Sequence, residues 1–296
     1  MVILLVPEGA DPALVEGVNS TLQEVVSQAG LELQNKSSLS PGQLGEHIQL
    51  VVAFPPIDNL QELVASAPGT KFLVIDTPGI TASPNLVTIN SIDGQPGQMG
   101  FMAGVISAII TEDWRVASIT QSNNSTDQII KQGFLNGVVY FCGLCRPTYP
   151  PFYTYPLSVE IPANATSAEK QALVDSLSDS YIKTVFVSPQ AADEEMYKAL
   201  SEADIHIIST GDPAPELKND WVVSLSYDLS ASLKQIVPAL LEGKEVTTPP
   251  MPLVMTNINP SLFSPGRQAL ANKILEDLMA GYIDTGVSAN SSNGGE

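Results

Sequence analysis

Short apolar runs alternate along this chain with longer stretches whose apolar residues recur every three or four positions. Residues 2–6 (Val-Ile-Leu-Leu-Val) form an unbroken apolar run, and similar runs predict strands over 48–54, 71–75, 86–90, 115–120, 157–161, 184–187, 205–209, 221–226 and 252–255. The intervening segments predict helices over 12–30, 59–66, 98–110, 128–140, 167–179, 192–202, 229–241 and 265–281. The first helix carries its own punctuation, with Asp11 as N-cap, Pro12 in the first turn and Gly30 as stop. In the helix over 98–110, Gly100, Ala103, Gly104 and Ala108 allow close packing on a sheet.

Strands that alternate with helices build parallel sheets, and two such sets follow each other here. The expected fold class is α/β, with two Rossmann-like, doubly wound lobes joined by a hinge. Residues 1–112 plus 227–247 make the N-terminal lobe. Residues 113–226 plus 248–287 make the C-terminal lobe, and 288–296 (Ser-Ala-Asn-Ser-Ser-Asn-Gly-Gly-Glu) form a flexible tail. In open parallel sheets ligands sit beyond the carboxyl ends of the strands. Asp76 follows the run Lys-Phe-Leu-Val-Ile at such an end.

Composition narrows the function. The chain has 296 residues, enough for two domains, with 44% apolar and 15% charged residues, as for a protein with a real core. It has no apolar run of 18 residues, so no membrane span is expected. The opening apolar run is too short, and lacks the basic flank, for a signal peptide; it reads as a strand. A net charge of −19 argues against nucleic acid or an anionic membrane as partner. His47 and His206 are the only histidines, which excludes a multi-histidine metal site and leaves few routes to a Ser-His-Asp triad. His206 lies in an apolar strand and His47 in polar surroundings, so core or solvated roles are favoured for them. The dinucleotide, Walker and nucleophile-elbow signatures are all absent, and no enzyme activity, cofactor or metal is expected.

Two local features allow several readings. Cys142 and Cys145, in Cys-Gly-Leu-Cys, could be a redox dithiol, two zinc ligands, a structural disulfide or two free thiols. The motif follows a helix and precedes Arg-Pro-Thr-Tyr-Pro-Pro, which does not suit a redox motif and favours the disulfide. The segment 147–156 concentrates Tyr149, Phe152, Tyr153 and Tyr155 among prolines. It is either a loop packed over the second lobe or a rigid aromatic rim that touches ligand or transporter.

The segment 65–110 also has recognisable wording. Ala-Ser-Ala-Pro-Gly-Thr-Lys-Phe-Leu-Val-Ile-Asp, then Asn-Leu-Val-Thr-Ile-Asn, then Gly-Phe-Met-Ala-Gly resembles the basic-membrane-protein (Bmp, PnrA-like) family of solute-binding lipoproteins. Gln132-Gly-Phe-Leu-Asn-Gly-Val and the closing Ile-Leu-Glu-Asp-Leu-Met-Ala-Gly-Tyr-Ile are similar to later parts of the same family, in order. The resemblance implies a type I periplasmic-binding-protein fold, and an extracytoplasmic, lipid-anchored, monomeric receptor whose signal and anchor lie outside this sequence. It implies two partners, a small solute and the membrane permease of an ABC importer, and favours a nucleoside held by hinge closure. Asp76 matches the family's strand-end aspartate, and Asp212 lies near its second binding aspartate. The family's hinge lysine falls at about Tyr227, its Gly-rich second-lobe turn at residues 188–191, and its second-lobe aromatic near Ile161. The aromatic and Asn that follow its first strand have no counterpart over 7–14. The expected cleft residues, all at or just past strand ends, are Glu8, Phe54, Asp76, Asn90, Gln121, Gln190, Asp212 and Tyr227. The alternatives are an extracytoplasmic ligand-sensing domain of a signalling system and, less favoured, a hydrolase.

Overall fold

The computed structural model describes residues 1–287 except 11, 46, 58, 76–79, 81–82, 90–94, 112, 151, 245 and 247–250. Two compact units divide the chain: Met1–Gly94 with Tyr227–Pro252, and Gln95–Ser226 with Leu253–Glu296. The chain therefore passes from one unit to the other three times, after residues 94, 226 and 252.

The first unit is built on β1 (Val2–Leu5), β2 (Leu33–Lys36), β3 (Leu50–Ala53), β4 (Lys71–Ile75) and β5 (Leu86–Ile89), in the spatial order β2-β1-β3-β4-β5. All four pairings are parallel. The apolar runs are explained by burial on both faces. Val2 and Leu4 point into one cluster with Leu22 and Val26 of α1 (Pro12–Gln28) and with Leu233 and Ile236 of α7 (Leu229–Leu241). Ile3 and Leu5 point the other way, towards Leu60 and Leu63 of α2 (Leu60–Ser66). β2 is absent from the sequence expectation. Its Leu-Gln-Asn-Lys has one apolar residue, because it is an edge strand with half-exposed and exposed side chains. Backbone pairing to β1 defines it, with flanking bonds from Val2 N–H to Glu32 O (2.8 Å) and from Val6 N–H to Lys36 O (2.8 Å).

The second unit contains β6 (Val116–Gln121), β7 (Leu157–Ile161), β8 (Thr184–Val187), β9 (His206–Ser209), β10 (Trp221–Tyr227), whose last residue already belongs to the first unit, and β11 (Leu253–Thr256). Their order is β11-β10-β9-β8-β6-β7, and the pairs β6–β7, β6–β8, β8–β9 and β9–β10 are parallel. One face packs on α5 (Ser167–Asp179) and α6 (Glu194–Glu202) through Val174, Leu177, Met196 and Leu200. The other face carries α3 (Pro96–Ile110) and α4 (Ser125–Cys142), with α8 (Pro265–Met279) beside α3. Phe134 of α4 stacks on Phe186 of β8 at 6.1 Å between ring centroids.

The expected lobe boundary at residue 112 moves to residue 94, because α3 belongs to the second unit. α3 packs on β8 and β9, and a double glycine seam binds it to α4. Gly100 and Gly104 of α3 lie against the backbone of Ile130 and Phe134, while Gly133 and Gly137 of α4 lie against the backbone of Gly97 and Phe101. Only helices without Cβ atoms at these four positions approach so closely. The return to the second unit falls after residue 252 rather than 247. The expected tail, 288–296, lies outside the described residues.

Candidate functional site

Both sheets reverse their winding once. In the first unit β2 and β3 lie on opposite sides of β1, and in the second β7 and β8 lie on opposite sides of β6. The crevice for ligands in such sheets opens at the carboxyl ends beside that reversal, between β1 and β3 and between β6 and β8.

In the first unit the turn after β1 exposes Glu8, next to Gly9 with φ +94°. Phe54, just past β3, is 2% exposed and sits in the core with Val52, Leu73 and Ile75, so it is corrected from a cleft residue to a core residue. Its ring completes the apolar face against α1 and α7, which leaves no surface for a solute. Asp76 and Asn90, which follow β4 and β5, lie outside the described residues. Tyr227 is half-buried against the same core, and burial raises its hydroxyl pKa well above the usual tyrosine value.

In the second unit Gln121 ends β6 half-buried, and Gln190, two residues past the buried Ser188 at the end of β8, is exposed. Asp212 is exposed in the turn after β9, reached through Gly211 with φ +77°. Asn257, just past β11, organises this turn: its Nδ2 donates to Asp212 Oδ1 (2.7 Å), Ser224 Oγ (3.1 Å) and Gly211 O (3.3 Å). Ser224 Oγ in turn donates to Gly211 O (2.5 Å) and accepts from Trp221 Nε1 (3.0 Å). One carboxylate oxygen of Asp212 is thus held, and the carboxylate is presented to solvent as a fixed acceptor. β6, β8 and β9 are neighbours, so Gln121, Gln190 and Asp212 share one edge of the unit as amide and carboxylate groups. That set suits neutral hydroxyl-bearing molecules, because an ionised carboxylate makes strong charge-assisted bonds to hydroxyl donors.

Sequence reasoning missed two residues here. Asn257 follows an isolated short strand and carries no motif. Asp127 had a readable signal, the N-cap pattern Asn124-x-x-Asp127 opening α4, where Asn124 Oδ1 accepts from Asp127 N–H at 3.0 Å. Asp127 is fully buried at the β6–β8 reversal; it accepts from Ser188 Oγ (2.7 Å) and from the Gln121 backbone N–H, and its other oxygen has no hydrogen-bond partner among the described residues. Burial is the main reason its pKa is raised. It clamps two strand ends from inside and offers nothing to solvent.

The aromatic segment is divided. Tyr155 is buried, with its hydroxyl donating to Ser180 O at 2.7 Å, while Tyr149 and Phe152 are each 72% exposed. Cys142 and Cys145 are paired, with Cα atoms 5.0 Å apart. Among the described residues no three His, Cys, Asp or Glu side chains come together as a metal site needs, and no helix is long and apolar enough to cross a membrane.

Comparison with known structures matches this architecture from end to end. An ABC transporter solute-binding protein from Conexibacter woesei has a TM-score of 0.66 at 15% identity, covering 96% of this chain and 97% of that one. A transcriptional activator of the comK gene from Bacillus halodurans has a TM-score of 0.63 at 15% identity, covering 98% and 100%. An arabinose-binding protein from Geobacillus stearothermophilus has a TM-score of 0.56 at 12% identity, covering 88% and 98%. No family model matches the chain, and no curated protein matches it in sequence. At this level of identity the similarity establishes the fold, the two parallel-sheet lobes of type I periplasmic-binding proteins.

Proposed function

We propose that this chain is an extracytoplasmic solute-binding receptor that serves the membrane permease of an ABC importer. The observation that carries the reading is the match to a transporter solute-binding protein over nearly the full length of both chains. The solute in this reading is small, neutral and rich in hydroxyl groups. The fixed Asp212 carboxylate and the amides of Gln121 and Gln190 are its contacts in the second unit; Glu8, Asp76, Asn90 and Tyr227 are those in the first. Two classes share this chemistry. The resemblance in wording to Bmp proteins favours a nucleoside and adds a lipid anchor and a monomeric state. Free sugars are favoured by the arabinose-binding neighbour and by one with bound D-allose at a TM-score of 0.52. Burial of Phe54 removes one ring that could have stacked on a base, which also weighs towards a sugar.

A thermal-shift screen of nucleosides, pentoses, hexoses and amino acids tests this directly. A true solute at a hundredfold excess over Kd stabilises the native state by roughly 3 kcal/mol. Asp212→Ala should weaken its binding about tenfold, the loss of one charge-assisted hydrogen bond, with the melting temperature of the free protein little changed. Full affinity in Asp212→Ala removes Asp212 from the site, and silence from every solute class overturns the receptor reading. A second reading, a ligand-sensing domain of a regulatory system, is favoured by the match to the comK activator across the whole of that chain. It separates from the first by a reconstituted uptake assay, in which a sensor supports no transport of the solute it binds.

A further inference from the structure

The opposite end of the second unit, at the amino ends of β6, β8 and β9, holds a cavity of about 500 Å³. That volume accommodates a small organic molecule. Arg115, Lys183 and His206 all line it, set side by side by the sheet itself: Lys183 N–H donates to Arg115 O (2.9 Å) and His206 N–H to Lys183 O (3.0 Å). The last turn of α3 closes one wall, where Thr111 and Thr184 face each other with hydroxyls 3.2 Å apart. Tyr149, on the proline-rich loop, forms another.

The charge distribution gives this cavity its meaning. The chain carries 32 acidic and 13 basic residues, and only three arginines. All three gather at this end. Arg115 lines the cavity and is 9% exposed; Arg146 is exposed on the loop two residues before the lining residue Thr148; Arg267 Nη1 donates to the carbonyl of the lining residue Ile110 at 3.4 Å. Among the described lining residues one carboxylate opposes them, Asp113, paired with Arg115 Nε. The Arg115 guanidinium also lies 5.4 Å from the centre of the Tyr181 ring, which fixes it in place. Asp113 neutralises a single cation, and the ammonium of Lys183 is in no ion pair or hydrogen bond among the described residues. His206 Nδ1 is buried without a hydrogen-bond partner among the described residues. A structural ion pair needs only Arg115 and Asp113. It does not account for a second cation, an unpartnered imidazole and a wall of hydroxyl donors around one hollow in an otherwise acidic molecule.

We propose that this cavity is a second binding site, distinct from the strand carboxyl ends, for a small ligand bearing an oxyanion, either a phosphate or a carboxylate group. Lys183 and the guanidinium face of Arg115 left free by Asp113 hold the anion; Thr111, Thr184 and Tyr149 supply neutral donors.

Calorimetric titration of the full chain at low ionic strength, with inorganic phosphate in one arm and succinate in the other, reads the site. Saturable binding of phosphate alone assigns the phosphate class, and of succinate alone the carboxylate class; binding of both assigns a general oxyanion site. Lys183→Glu should weaken that binding by at least about tenfold, the effect of losing one charge-assisted bond. Lys183 is exposed, so this variant tests the site without disturbing the core. Arg115→Gln should abolish binding, and Lys183→Glu decides the matter if that buried variant does not fold. Absence of saturation with either anion up to millimolar concentration overturns the proposal, as does unchanged affinity in Lys183→Glu.

Discussion

Asp127 shows how much a single buried carboxylate can reveal. Its side chain ties the Gln121 backbone to Ser188 across the β6–β8 reversal, in a place water does not reach. Burial raises its pKa above the ordinary value of 3.8, so the folded chain holds this proton more tightly than the unfolded one. The sign follows: the contribution to stability is fully present below 3.8 and is lost as pH rises from there through the raised folded value. Glu160, whose pKa is lowered by its bonds to Lys131 and Gln128, works in the opposite sense, and so do Glu169 and Glu195. Comparison with a variant cancels them. Asp127→Asn keeps the shape and cannot ionise, so the stability of wild type relative to this variant should be greater at about pH 5 than at about pH 8. Urea midpoints at the two pH values check it, and an equal difference at both would show that Asp127 does not titrate abnormally. In the sequence this residue is one Asp among many; burial, which gives it its properties, is not written locally. The same holds for Phe54, whose position past a strand end is legible while its inward orientation is set by partners distant in the chain.

At the scale of elements, the α3–α4 seam is the most demanding contact in the second unit. A Cβ added at Gly137 would stand 2.8 Å from the carbonyl carbon of Phe101, and at Gly104 it would stand 2.8 Å from the backbone nitrogen of Val138. Backbone cannot yield as a flexible side chain does, so the helices must separate. Gly137→Ala should cost about 1–3 kcal/mol, the usual scale of overpacking, and lower the melting temperature by several degrees. Gly17, exposed within α1, has nothing within 4 Å of a built Cβ. There the same substitution should stabilise by about 0.5–1 kcal/mol, since alanine is the better helix former. Calorimetry of both variants separates packing from propensity; equal effects would sink the seam argument. Strands and helices with strong apolar periodicity were legible within one to a few residues, because burial on two faces leaves a continuous apolar run. β2 was not, because an edge strand held by backbone pairing needs no apolar run. The glycines of α3 were legible as close-packing positions, yet their partner was not, since Gly133 and Gly137 lie some thirty residues further on. That partner, remote in the sequence, sets the lobe boundary before α3 rather than after it.

For the whole molecule the dominant physical fact is charge. Two sheets wound in the same way can be read from alternating strands and helices, but the location of the few cations depends on the fold. Seven of the thirteen Lys and Arg side chains form ion pairs among the described residues. Several are well exposed, such as Lys198–Glu202 and Lys244–Glu242, and pairs of this kind contribute about 0–1 kcal/mol each. Against them stands a net charge of −19, whose mutual repulsion acts over the whole surface and opposes compactness. Salt weakens both, since the screening length falls to about 10 Å at 0.1 M. The pairs are few and short-ranged, with partners closer than that length, whereas the excess carboxylates repel over longer distances that salt screens more completely. Repulsion should therefore dominate the response, and the urea midpoint should rise as sodium chloride is increased from low to moderate concentration. Chloride is the right anion for this test, because phosphate would add the stabilisation of its own binding at the amino ends of β6, β8 and β9. A midpoint that falls with sodium chloride would mean that the ion pairs, including Lys170 with Asp193 and Glu195, outweigh the excess negative charge.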